Sequence, residues 1–135
     1  MVSQYHYRLA DPALESSPQS VGFPEWVRLT LGERDQHDYD SPRMFQPQTD
    51  WIADSSGEIL VDFVGRFERF SQDFSTIYSK LGRRVDPPHL DPSKHEHYSR
   101  YYDEDAAEQV SRWFSKDIEN FGYSFERRSS FVDAP

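Results

Sequence analysis

The sequence predicts a mainly α-helical domain that carries one β-hairpin. Three observations point to it. Apolar residues recur every three or four positions in two long segments, 66–81 and 104–121, which is the period of a helix with one buried face. A shorter stripe at the same spacing, Val2, Tyr5 and Leu9, opens the chain. Only around Asp54-Ser55-Ser56-Gly57 does the pattern become an alternation, with Ile59, Val61 and Phe63 expected on one face.

Taken in order, the first helix is expected to run to Ala10, its stripe reaching so close to Met1 that the sequence reads as opening inside a helix. Asp11-Pro12 ends it, because the residue before a proline is pushed out of the helical region. Residues 11–21 have loop composition. A second helix is expected from Pro24 to Leu31, with proline in its first turn, Gly32 at its stop, and Phe23, Trp26 and Val27 with Thr30 or Leu31 on its buried side. Residues 33–50 show no period and read as a surface loop. At that length a loop is either functional or disordered.

The hairpin pairs Trp51–Ala53 with Glu58–Val64. Two isolated strands are marginal in water, so they must pack on the helices or belong to a larger sheet. The helix at 66–81 is expected to bury Phe67, Phe70, Phe74, Ile77 and Leu81 as core, with Gly82 closing it. Residues 83–99 form a loop rich in proline and histidine. The last helix, 104–121, has Asp103, Glu104 and Asp105 at its positive end, and Val110, Trp113, Phe114, Ile118 and Phe121 on its buried face, with Gly122 stopping it. Residues 1–125 are thus expected to form one partial domain and 126–135 a flexible tail.

Composition bounds the function. Fifteen basic against 24 acidic residues give a net charge of -9. Such a field repels nucleic acids and anionic membranes, so no nucleic-acid partner is expected, and an anionic ligand needs a local basic pocket. The mean hydropathy of -0.88 is polar. Even so, 10 Phe, 8 Tyr and 3 Trp supply large apolar faces, which excludes a wholly disordered chain. The absence of cysteine excludes disulfides and thiolate metal sites and agrees with a cytoplasmic location. No apolar run approaches the about 20 residues of a membrane span, and residues 1–10 lack the apolar core of a signal peptide. His89, His95 and His97 raise a metal site, but their spacing is not that of a helical zinc pair, so no metal is expected.

Three blocks stand out: Val61-Asp62-Phe63-Val64-Gly65-Arg66-Phe67-Glu68 running into Asp73-Phe74, then Pro88-His89-Leu90-Asp91-Pro92-Ser93-Lys94 followed by Tyr98–Tyr102, and Lys116-Asp117-Ile118-Glu119-Asn120-Phe121-Gly122-Tyr123. Together they resemble the carbohydrate-type sulfotransferase family. In that family such blocks follow one another in this order near the C-terminus. The likeness runs from Met1 to Phe125 and covers the C-terminal half of the domain only. It implies the C-terminal part of an α/β P-loop-like fold, and transfer of a sulfuryl group from 3′-phosphoadenosine 5′-phosphosulfate (PAPS) to a hydroxyl, on a saccharide acceptor. Some relatives are anchored in the Golgi; these residues show no anchor.

The resemblance further implies that a strand-loop-helix near the family's N-terminus grips the 5′-phosphosulfate, and that an arginine followed two helical turns later by a serine grips the 3′-phosphate. Met1-Val2-Ser3-Gln4-Tyr5 resembles the end of that second motif, with Ser3 at its serine. Its arginine would precede Met1, and no glycine-rich phosphate cradle occurs in these residues, so the isolated chain is expected to lack transfer activity.

Sulfuryl transfer needs preorganised donors for the developing charge, a base near the acceptor hydroxyl, and the two reactants held in line. Ser3 can donate to a phosphate oxygen. Arg66, where the hairpin meets a helix, can make a bidentate pair with a phosphate or carboxylate, or a structural ion pair with Glu68 or another acid. Ser93 and Lys94 lie where the resemblance implies a basic loop closing over the nucleotide, with Lys94 as a point charge. The resemblance implies that the loop holding His37, Arg43 and Gln48 lies near the acceptor side, where Arg43 can meet an acidic sugar or simply balance Asp38 and Asp40. No residue is assigned as the catalytic base. The competing reading is a non-catalytic remnant of the fold, which binds a partner or a second copy of itself through apolar area left bare.

Overall fold

The computed structural model describes residues 1–10, 21–83, 85 and 96–126. Among them the α-helices are α1 (Val2–Ala10), α2 (Phe23–Val27), α3 (Thr49–Ile52), α4 (Phe70–Lys80), α5 (Glu104–Trp113) and α6 (Ser115–Phe121). The described residues contain no strand. The chain divides into two compact units, Met1–Trp51 with Ser93–Pro135, and Ile52–Pro92.

The first unit is built around Trp26, Val27 and Phe45, all fully buried, with Val2, Tyr5, Phe23, Leu31 and Ala106 around them. Its packing is aromatic. Tyr5 meets Phe23 edge-on at 5.5 Å, Trp26 meets Phe45 at 6.0 Å, and Tyr39 stacks on Phe45 at 5.6 Å. On α1 the third buried position is Arg8 rather than Leu9. Its guanidinium pairs with Asp40 at 2.7 Å and lies over the Phe45 ring at 5.4 Å, which makes its burial tolerable.

The stop expected at Gly32 is displaced. α2 continues into a π-helical turn, Arg28–Glu33, which takes in one extra residue and carries Gly32 inside it. Arg34 ends the run in the left-handed conformation, φ 54°, with its guanidinium over the Trp113 ring at 4.8 Å. Residues 33–50 are more than surface loop. The 3-10 turn Pro42–Phe45 drives Phe45 into the core, and the Trp113 indole N–H donates to the Phe45 carbonyl at 2.6 Å. The single helix expected at 104–121 is two. Asp103 caps α5 by accepting the Ala106 N–H at 2.8 Å, and Phe114, at φ −100°, separates α5 from α6. Gly122 ends α6 at φ 65°, as the sequence predicts.

In the second unit the expected hairpin shrinks to one antiparallel bridge, Ala53 with Ile59. The turn forms: the Asp54 carboxylate accepts the N–H groups of Ser56 and Glu58, and Gly57 adopts φ 87°. The ladder ends there because Trp51 and Ile52 belong to α3 and residues 60–64 have no strand beside them. The helix at 66–81 is present as a 3-10 turn, Phe67–Arg69, leading into α4, with the Arg66 N–H donating to the Asp73 carboxylate at 2.7 Å. Its apolar stripe is not core. Phe67 is 87% and Leu81 68% exposed, and Phe70 and Ile77 are exposed as well. The period reports that a face is apolar, not that something covers it.

Candidate functional site

The first unit carries an open groove of about 750 Å³, lined from α1, the Pro42–Phe45 turn, α5, α6 and the residues after Gly122. Val110, Phe114 and Ile118 supply its apolar floor, and Tyr102, Tyr123 and Phe125 supply rings. Its size and mix of apolar walls with a few polar groups suit a small-molecule or sugar site.

Asp117 holds one wall in place. It sits in the first turn of α6 and is buried. One carboxylate oxygen accepts the Thr49 N–H at 2.8 Å and the Thr49 hydroxyl at 2.7 Å, and the other accepts the Gln48 N–H at 2.8 Å. It thereby caps the N-terminus of α3 from a distant part of the sequence, where the helix offers unpaired N–H groups and positive potential. The Asn120 amide donates to the Thr49 hydroxyl at 3.3 Å, and Lys116 pairs with Asp50 at 2.8 Å. Engaged this way, Asp117 ties α6 to the start of α3.

Tyr102, also in the groove wall, is a perturbed group. Burial, then the neighbouring Tyr98 phenol, push its pKa up to about 12 from the ordinary 10.0, so it stays a neutral hydrogen-bond donor. The folded chain keeps this proton where the unfolded chain would lose it, so the stability it contributes is intact below pH 10 and is lost as the pH climbs from 10 towards 12. A phenolate absorbance titration is expected to show one tyrosine ionising last, near pH 12, and Tyr102→Phe is expected to remove that step.

The residues expected at the site are placed as follows. Ser3 is on the exposed face of α1, next to the groove-lining Gln4. Arg43 is exposed in the Pro42–Phe45 turn, next to Met44, which lines the groove. It is Arg8 that pairs with Asp40. Arg66 lies in the second unit, partly buried, at the start of the turn that leads to α4. Ser93 and Lys94, like His89 and His95, lie outside the described residues. His97 bonds locally to Ser99 at 2.8 Å, and no group of three or more potential metal ligands occurs among the described residues.

A profile of the sulfotransferase family matches residues 1–124. The chain belongs to the sulfotransferase family. No curated protein and no solved structure matches it. No helix among the described residues is long and apolar enough to cross a membrane. In this sulfotransferase-family chain the groove draws on two of the blocks that carry the resemblance, through Tyr102 and through Asp117, Ile118, Glu119 and Tyr123. Neither Asp117 nor Tyr102 stands out from the sequence as a site residue. The blocks were the available signal, but they say nothing of which side chains share a wall.

Proposed function

We propose that this chain serves a reaction in which PAPS passes its sulfuryl group to a hydroxyl of a saccharide, residues 1–125 acting as part of one sulfotransferase domain. The family match across residues 1–124 carries this reading, since it spans every block on which the resemblance rests. The donor types suit a phosphate-bearing nucleotide: a serine hydroxyl exposed on α1, a partly exposed guanidinium at Arg66, and the charge of Lys94 beside Ser93. When bound, PAPS supplies the activated sulfuryl group. Ser3 would donate its hydroxyl to a phosphate oxygen, Arg66, Ser93 and Lys94 would offset the nucleotide's charge, and Arg43 would stand on the acceptor side. The test is thermal unfolding against rising adenosine 3′,5′-bisphosphate, with Ser3→Ala alongside: the nucleotide is expected to stabilise the parent chain and not the variant.

A second reading, a non-catalytic module that binds a partner or itself, is favoured by one observation. The second unit exposes large apolar side chains, Leu60, Phe67 and Leu81 foremost. Sedimentation at rising concentration separates the two: self-association without any response to the nucleotide supports the module.

A further inference from the structure

We infer that the groove of the first unit is a binding site for an uncharged saccharide ring and discriminates against anionic ones. The inference rests on the sulfotransferase reading only in taking that sugar as an acceptor.

Charge is the first argument. Among the described residues, the charged side chains lining the groove are Asp117 and Glu119, both acidic. Asp117 is fixed in the wall by the hydrogen bonds that its oxygens accept from Gln48 and Thr49. The chain around it is itself at -9. A carboxylated or sulfated sugar would be brought against like charge in a partly desolvated space, where repulsion is stronger than in bulk water. The same charges make the groove unsuited to PAPS, so the nucleotide and the groove ligand need different surfaces.

Shape and hydrogen bonding supply the second argument. Tyr102, Tyr123 and Phe125 line one end, and Tyr102 and Phe125 meet edge to face at 5.2 Å. Aromatic faces are electron-rich, and the C–H face of a pyranose ring, weakly positive, packs on them. Gln4, Gln48 and Ser115 also line the groove. Amides and hydroxyls both donate and accept, as a sugar hydroxyl requires, whereas anion sites rely on donors alone. A volume of about 750 Å³ accommodates one or two such rings.

The test uses a matched pair, cellobiose and cellobiouronic acid, titrated into the isotopically labelled chain and followed by backbone amide NMR. Cellobiose is expected to produce saturable shifts at Gln4, Ser115 and Tyr123. The acid is expected to bind about fivefold more weakly, the effect of one like-charge contact near a surface. Glu119→Gln should bring the two sugars close to parity. Tyr123 is 42% exposed, so Tyr123→Ala should keep the fold and weaken cellobiose about tenfold. Absence of saturable shifts, equal or tighter binding of the acid, or shifts that track protein concentration as a second copy fills the groove would each overturn the proposal. Failure here with nucleotide binding intact removes the groove ligand alone. Loss of nucleotide binding with cellobiose binding intact removes the sulfotransferase reading instead.

Discussion

Asp117→Ala is expected to destabilise the first unit by about 3–4 kcal/mol, enough to lower its melting temperature by more than about 10 °C. The carboxylate accepts two backbone N–H groups and a hydroxyl, all within 2.8 Å, and Thr49 is buried. Alanine leaves those donors without a partner, and a buried orphaned donor costs its full desolvation. Asn keeps one acceptor oxygen and should fall roughly midway. The neighbouring pair Lys116–Asp50 is the contrast. It is solvent-exposed and screened, so Lys116→Ala should leave the unfolding midpoint nearly unchanged. Denaturant unfolding followed by circular dichroism reads all three. A loss below about 1 kcal/mol for Asp117→Ala would show that α3 is held by something else.

Trp26→Ala is expected to cost a further class of energy, about 3–5 kcal/mol from lost packing and the cavity left behind. Trp26 is fully buried and its ring lies within 6.1 Å of Tyr5, Phe23 and Phe45, so three elements lose their common contact. Trp26→Phe separates size from polarity. The indole N–H is buried without a hydrogen-bond partner, so replacing it forfeits no bond and removes an unsatisfied donor. The phenylalanine variant should therefore cost no more than about 1–2 kcal/mol. A phenylalanine variant as damaging as alanine would mean that the nitrogen has a partner after all.

Much of the helical content is legible in the sequence because period and stop signals are local. Val2 and Tyr5 mark α1, Gly122 ends α6, and Asp103 starts α5. What the sequence hides depends on partners. The alternation at Ile59, Val61 and Phe63 suits a strand, but a strand exists only beside another, and just one bridge forms. The stripe on α4 has the spacing of a core helix, yet spacing cannot say whether a neighbour covers it, and Phe70 and Ile77 are exposed. Gly32 is a reasonable stop until a π turn shifts the register by one. Phe45 sits in a stretch without period and is fully buried, because a single turn can insert one ring without any repeat.

The site divides along the same line. The blocks that place the chain in the sulfotransferase family are readable, whereas the wall of the groove is not, since Asp117 and Thr49 are 68 residues apart. No spacing rule connects a carboxylate to a helix N-terminus that far away. Ser3 and Arg43 were reached through the resemblance, and each stands beside a groove-lining residue, Gln4 and Met44, without lining the groove itself. Arg66, read from its place between the hairpin and the helix, lies in the other unit.

The central claim, that a nucleotide site of the sulfotransferase kind is carried by this chain with Ser3 in it, is met most directly by thermal unfolding in rising adenosine 3′,5′-bisphosphate. At ten times the dissociation constant the ligand should stabilise by about 1.4 kcal/mol, a rise of about 5 °C in melting temperature. Ser3→Ala should abolish the rise without changing the melting temperature of the free chain, since Ser3 is exposed. An unmoved melting temperature at millimolar nucleotide, or a rise that Ser3→Ala leaves intact, would contradict it.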